Sequence, residues 1–90
     1  MTSEQVFENV KRIFLEDLDL NLVESDLDET VPLFEGGLAL DSVVAVELIG
    51  FVEKRFGIEL SEEVLRMDAF KDLRSVVQLI QEQLTVRQSA

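Results

Sequence analysis

Apolar residues recur at three- and four-residue spacing in three stretches of the chain, which is typical of amphipathic helices packed on a core. The first predicted helix runs from about residue 4 to 17, after a capping box formed by Thr2 and Gln5. The last begins after Asp72, a residue type that caps helix N-termini well. The core positions predicted for these two helices are Val6, Phe7, Val10, Ile13, Phe14 and Leu18, and then Leu73, Val76, Val77, Ile80 and Leu84.

The middle helix is predicted from Ser42 to about Phe56, with Asp41 as N-cap and a left-handed cap at Gly57 supported by Ile58. Its buried side gathers Ala45, Leu48, Ile49, Val52 and Phe56, and its opposite side gathers Val43, Glu47, Gly50 and Lys54. A glycine inside a helix costs about 1 kcal/mol relative to alanine. Gly50 is therefore a neutral surface position, a point of close packing, or a flat spot on a docking face.

A long first loop separates the first two helices. Leu18, Leu20 and Leu22 alternate with polar residues as in a short strand, but a lone strand is unstable, so we expect these leucines to pack into the core. Val31, Leu33, Phe34, Leu38 and Leu40 favour an ordered loop, and the glycine pair 36–37 allows a tight approach to the following helix.

Ser61 can cap a short helix that ends at Arg66, and Phe70 is expected to fill the core. These elements predict an all-α fold: a small four-helix bundle of three main helices and one short helix, with a long first loop. Residues 1–90 are expected to form a single domain.

Composition excludes several kinds of chemistry. The 90 residues include no cysteine and no histidine, so a disulfide framework, a thiolate metal site and a Ser-His-Asp triad are all ruled out. The segment that begins at Asp17 resembles the first ligand positions of an EF-hand calcium loop. Leu22 and Asp28, however, replace the glycine and glutamate that such a loop needs. Nothing resembles a signal peptide and no apolar run approaches the length of a membrane span, so we expect a cytoplasmic protein. With few groups able to activate a nucleophile, it is expected to be non-catalytic, and we also expect a monomer.

The net charge of −11 is unevenly distributed along the chain. Between Arg12 and Lys54 there is no basic residue and there are eleven acidic ones, which account for the whole net charge. Nucleic acid is therefore not an expected partner, because phosphate binding requires a basic surface. Basic protein surfaces are the natural partners, and solubility alone is an equally good explanation of the charge.

Candidate chemistry lies at the start of the middle helix. Ser42 follows the cap residue Asp41, where the unpaired N–H groups of a helix N-terminus favour a phosphate-bearing group. The segment Gly37-Leu38-Ala39-Leu40-Asp41-Ser42, followed by Val46-Glu47-Leu48 and Phe56-Gly57-Ile58, resembles the acyl carrier protein family over nearly the whole chain.

That resemblance implies a covalent 4′-phosphopantetheine group on Ser42. A phosphopantetheinyl transferase would attach it, with Asp41 helping to position the metal-bound donor. The thiol of the arm would then carry acyl groups as thioesters, which a chain without cysteine cannot do by itself. An aliphatic cargo is hypothesised to fold back between the middle helix and Phe70 or Ile58.

The resemblance also implies that Val43, Glu47, Gly50 and Lys54 face the acyl-loading, condensing and tailoring enzymes, whose docking surfaces are basic. Val44 and Lys54-Arg55 occupy positions where fatty-acid carriers often have acids, which leaves Glu47 and Glu53 on this face. The pathway thus stays open between fatty-acid, polyketide-type and specialised lipid synthesis. Lys54 and Arg55 also suit the C-terminal end of a helix dipole.

Two other interpretations remain open. The cargo of such a carrier could instead be an aminoacyl or peptidyl group of a nonribosomal-peptide-type pathway. Alternatively, the chain is an unmodified interaction bundle in which Ser42 merely supports the helix cap. An enzyme has little support, because the Gly-x-Ser-x-Gly elbow of serine hydrolases is absent.

Overall fold

The computed structural model of the chain describes residues 2–18, 20–34, 36–60 and 70–89, with side chains up to Thr85. The main helices are α1 (Ser3–Arg12), α2 (Ser42–Phe56) and α3 (Leu73–Ser89). A π-helical turn, Ile13–Asp17, continues α1, and a 3₁₀ turn spans Glu24–Asp26. Every named element in this described part is helical, which confirms the all-α prediction. The predicted short helix from Ser61 to Arg66 lies outside the described residues.

The predicted capping box opens α1. The Thr2 hydroxyl accepts a hydrogen bond from the Gln5 backbone N–H at 3.1 Å, and the Gln5 side chain accepts one from the Thr2 N–H at 2.9 Å. At the other end, the Leu18 N–H donates to the Ile13 carbonyl at 2.9 Å and closes the π-helical turn. Helical backbone therefore reaches Asp17, as the apolar spacing predicts.

The apolar faces of the three helices meet in one core. Most predicted positions of α1 and α3 are buried in it, and so are Leu48 and Val52 of α2, Ile58 and Phe70. The predicted positions Phe7, Ile49, Phe56 and Leu84 are half-buried. Leu27, Leu60 and Leu79 are also buried, although no periodic pattern marks them. Leu27 and Leu60 lie outside the helices, where burial depends on the path of the chain.

Backbone hydrogen bonds attach the first loop to the start of α3. The Leu33 N–H donates to the Lys71 carbonyl at 3.0 Å, and the Arg74 N–H donates to the Glu29 carbonyl at 2.8 Å. The Leu33 side chain is fully buried, which confirms that apolar residues order this loop. Leu20 and Leu22 are only half-buried. The loop is thus fixed to α3 by its backbone as well as by its side chains.

Arg55, near the C-terminus of α2, contacts the first helical segment directly. Its Nε donates to the Asn9 side-chain oxygen at 3.1 Å, and its guanidinium lies 3.4 Å from the Asp17 carboxylate. Arg55 therefore joins two helices in addition to complementing the helix dipole.

On α1, hydrogen bonds to the carboxylates of Glu8 and Glu24 raise the pKa of Lys11.

Asp72 caps α3, as predicted. Its carboxylate Oδ1 accepts hydrogen bonds from the backbone N–H and from the hydroxyl of Ser75, both at 2.8 Å. Burial by itself raises the pKa of Asp72, but the Ser75 hydrogen bonds and the charges of Lys71 and Arg74 outweigh it. The pKa of Asp72 consequently lies below its ordinary value of 3.8.

Replacing the cap by Asp72→Ala is expected to lower the free energy of unfolding by about 1 kcal/mol at neutral pH. Because the folded-state pKa is depressed, the charge-dependent part of this contribution is present above 3.8 and is lost as the pH falls through the folded-state value. Urea unfolding followed by circular dichroism at a series of pH values measures the difference. Asp72→Asn, which caps without titrating, is the control, and a wild-type advantage that stays constant into acid would contradict the role given to the Asp72 charge.

Candidate functional site

The start of α2 has the predicted cap geometry. Asp41 is extended, with φ −92° and ψ 176°, and its Oδ1 accepts a hydrogen bond from the Val44 N–H at 2.8 Å. The Asp41 carbonyl accepts from the Ala45 N–H at 3.0 Å, which is the first turn of the helix. Ser42 is therefore the first helical residue, one position after the cap.

Ser42 is open to solvent. Asp41, Ser42 and Val43 are all exposed, and the Ser42 hydroxyl makes no hydrogen bond within the described part of the chain. The first N–H groups of a helix have no intrahelical acceptor, and the helix dipole is positive at this end. A phosphate on Ser42 Oγ would thus meet both free donors and a favourable field.

The segment from Pro32 to Leu40 folds back on itself and delivers Asp41 to the helix start. The Leu38 N–H donates to the Pro32 carbonyl and the Leu40 N–H to the Leu33 carbonyl, each at 2.9 Å. Since Leu33 also bonds to the start of α3, these contacts form a continuous backbone connection from α3 to the N-terminus of α2. The position of Ser42 is set by this connection.

Two small residues make the fold-back possible. A Cβ at Gly37 would overlap the backbone carbonyl of Pro32, so only glycine fits there. The expected close approach is real, but it is to Pro32 rather than to the following helix. Ala39 is in the left-handed region with φ 53°, an uncommon conformation for a residue with a Cβ.

The predicted docking positions share one exposed face of α2. Val43, Glu47, Gly50 and Lys54 are all exposed, and Val43 retains 64% of its accessible surface. Val46 is 69% exposed and lies on the same face. Val46 is not among the predicted docking positions. Its spacing, three residues after Val43 and four before Gly50, would have placed it on the same helix face.

Two residues of this region differ in role from their sequence interpretation. The Glu53 carboxylate accepts a hydrogen bond from the Leu60 N–H at 2.8 Å, so it holds the chain that follows α2 and is not a free surface charge. A Cβ at Gly50 would meet no other atom of the described residues within 4 Å. Gly50 is therefore not a point of close packing within the described part of the chain, and the neutral surface position and the flat docking spot remain.

The hypothesised cargo site lies between α2 and Phe70 or Ile58. Both Phe70 and Ile58 are buried in the core. Next to Ile58, a shallow surface groove is lined by Gly50, Glu53, Lys54, Ile58, Glu59 and Leu60. The fold-back of an acyl chain into this region stays a prediction.

A family model and a relative of known family both match most of this chain. The family model described as phosphopantetheine attachment site matches residues 8–80, a range that contains Asp41, Ser42 and all of α2. An acyl carrier protein from Petrotoga mobilis (strain DSM 10674 / SJ95) is 31% identical over 86 residues, which cover 96% of this chain and 95% of that protein. The chain belongs to the acyl carrier protein family.

Membership brings the cofactor with it: acyl carrier proteins of this family hold a covalent 4′-phosphopantetheine. The site geometry fits such a group, because an exposed hydroxyl stands at the positive end of α2.

Among the described residues, no helix is long and apolar enough to cross a membrane. The same residues contain no cluster of three or more His, Cys, Asp or Glu suited to a metal ion.

Gly37→Ala is expected to lower the free energy of unfolding by about 1–3 kcal/mol, because the added methyl group forces the Pro32 carbonyl away from the Leu38 N–H. Urea denaturation gives the stability, and amide hydrogen exchange at Leu38 and Leu40 shows whether the fold-back opens.

Gly50→Ala is the matched control. The same added methyl group on open helix surface is expected to stabilise the protein by about 1 kcal/mol. Equal effects of the two substitutions would show that the crowding at Gly37 has no energetic weight.

Proposed function

We propose that residues 1–90 form one non-catalytic acyl carrier domain whose attachment residue is Ser42. The exposed Ser42 hydroxyl at the first turn of α2 carries this proposal, because the family match supplies a phosphopantetheine site and this serine fits it. A phosphopantetheinyl transferase joins Ser42 Oγ to the phosphate of 4′-phosphopantetheine from coenzyme A. The bond to the nucleotide breaks, 3′,5′-adenosine bisphosphate leaves, and the transferase takes up the hydroxyl proton.

Asp41 has a second role in the proposal beside its cap. Its Oδ1 is used by the Val44 N–H, while Oδ2 has no hydrogen bond with any described residue. Asp41 is exposed and adjoins Ser42 in the sequence, so its free oxygen can help to position the metal-bound donor on the transferase. The cap fixes the carboxylate and so makes its position reproducible.

The arm's thiol carries the cargo as a thioester, and this supplies the nucleophilic sulfur that the polypeptide lacks. Tethering raises the effective concentration of the cargo at each partner's active site. The protein itself contributes the attachment point and the surface that partners recognise. The Petrotoga mobilis relative is an acyl carrier protein, which supports acyl cargo over aminoacyl cargo. The pathway, the cytoplasmic location and the monomeric state remain predictions.

Partner enzymes are proposed to dock on the α2 face formed by Val43, Val46, Glu47, Gly50 and Lys54. The exposed valines offer apolar contact, and Gly50 leaves the surface flat between them and Lys54. The Glu53 carboxylate is already bonded to the Leu60 N–H. Glu47 is therefore the acidic residue of this face that can contact a basic partner surface. Acyl-loading, condensing and tailoring enzymes, and the transferase, would share this face.

Intact-mass measurement tests the attachment residue. Wild-type protein incubated with a broad-specificity phosphopantetheinyl transferase and coenzyme A is expected to gain one phosphopantetheine group, and Ser42→Ala to gain none, because the acceptor oxygen is gone. Ser25→Ala, at an exposed serine of the 3₁₀ turn, is the matched control and should be modified like wild type. Modification of Ser42→Ala would refute the assignment.

Charge reversal tests the docking face. Glu47→Lys is expected to lower the kcat/KM of the transferase about fivefold at low salt, equivalent to about 1 kcal/mol, because it repels a basic partner surface. The loss should shrink as salt screens the charges. Glu82→Lys places the same charge change on exposed α3 and should leave kcat/KM near wild type. Equal losses in both variants would mean that only net charge matters.

A further inference from the structure

Lys54 is a basic residue whose charge is not used inside the described part of the protein. Its side chain is exposed and makes no hydrogen bond or ion pair with any described residue. The other basic side chains that the structure describes each act on a carboxylate of the protein. Lys11, Arg12 and Arg55 form ion pairs, and Lys71 and Arg74 help to lower the pKa of Asp72. The charge of Lys54 is therefore available to a partner.

The acidic residues next to Lys54 do not neutralise it. Glu53 and Glu59 line the same shallow groove as Lys54. The Glu53 carboxylate instead accepts a hydrogen bond from the Leu60 N–H at 2.8 Å, and no ion pair joins Glu59 to Lys54. A base in the last turn also complements the helix dipole, but this role leaves the ammonium group open to solvent.

Lys54 and Glu47 place opposite charges on the proposed docking face of α2. They are seven residues apart, or about two turns, so they share one side of the helix and lie roughly 10 Å apart along its axis. Glu47, the nearer of the two to Ser42, is exposed and likewise forms no ion pair within the described residues. Gly50 lies between them and contributes no side chain that could separate the two charges.

We propose that Lys54 determines partner specificity. It selects enzymes that present a carboxylate opposite it, roughly 10 Å from the basic group that meets Glu47, and it weakens binding to uniformly basic surfaces. This inference rests on the proposed docking face. Because the acid and the base stand in a fixed order from Ser42, a partner docked in the reverse direction along α2 meets like charges at both positions. Lys54 therefore also fixes the direction in which a partner lies on the helix.

Transferase kinetics test the repulsive part of the proposal on the full chain. The probe is a broad-specificity phosphopantetheinyl transferase with coenzyme A, for which we expect a basic docking surface. At low salt, Lys54→Gln is expected to raise kcat/KM about twofold and Lys54→Glu about fivefold, because they remove or reverse a charge that repels this surface. Both gains should shrink as salt screens the charges. Lys54→Arg keeps the charge and should stay near wild type.

Gln78→Glu is the matched control for Lys54→Gln. It changes the net charge by the same single unit at an exposed position of α3 and should leave kcat/KM near wild type. Equal gains in these two variants would overturn the proposal. So would a Lys54→Gln variant that changes only the urea stability and not kcat/KM, since that is the result of a purely structural role at the helix end. Lys54→Gln also decides the matter if Lys54→Glu does not fold.

Charge reversal on the partner tests the attractive part. The exposed Lys and Arg residues of the transferase are changed to Glu one at a time, and each variant is assayed with wild-type carrier and with Lys54→Glu. At the transferase position that faces Lys54, the preference should invert, so that the wild-type carrier is modified faster. If no reversal inverts the preference, Lys54 faces no defined partner position and the selective role is wrong.

The Glu47→Lys variant distinguishes the two levels of inference. If neither Glu47→Lys nor Lys54→Glu changes kcat/KM, the docking face on α2 is itself wrong. If Glu47→Lys lowers kcat/KM while Lys54→Glu behaves like wild type, only the role given to Lys54 is wrong.

Discussion

The backbone connection between the first loop and the start of α3 is the constraint on which the site depends. Two hydrogen bonds, from Leu33 to Lys71 and from Arg74 to Glu29, fix a long segment that has little helical structure of its own. The fold-back from Pro32 to Leu40 passes that constraint on to Asp41. An attachment residue on a loosely held loop would sample many orientations, whereas Ser42, the proposed attachment residue, begins a helix that directly follows the hydrogen-bonded fold-back of residues 32–40.

The helix α2 serves the core and the surface at the same time. Leu48 and Val52 are buried on one side, while Val43 and Val46 remain exposed on the other. Exposing two valines on one helix face has no benefit for folding, and such surface is typical of protein contacts. Their place beside Ser42, the proposed attachment residue, fits a protein that must present its arm and a recognition surface together.

Side-chain contacts also divide the acidic residues into two groups. The Asp17 carboxylate pairs with Arg55, and the Glu53 carboxylate accepts a hydrogen bond from the Leu60 N–H. Asp41 and Asp72 cap helices. Glu47 has no such contact within the described residues and stands on the proposed docking face. A net charge of −11 therefore overstates the charge available to a partner, because part of it is already paired within the protein.

The sequence by itself determined the helices, their caps and the attachment candidate. These follow from local rules: apolar spacing predicts α1, α2 and α3, and a carboxylate bonds to an N–H a few residues away at Asp41 and Asp72. Only the tertiary structure decided the burial of Leu27, the link from Arg55 to Asp17 and the crowding at Gly37 by Pro32. Each of these depends on contacts between residues that are distant in the sequence. Local sequence patterns do not show which distant residues the fold brings together.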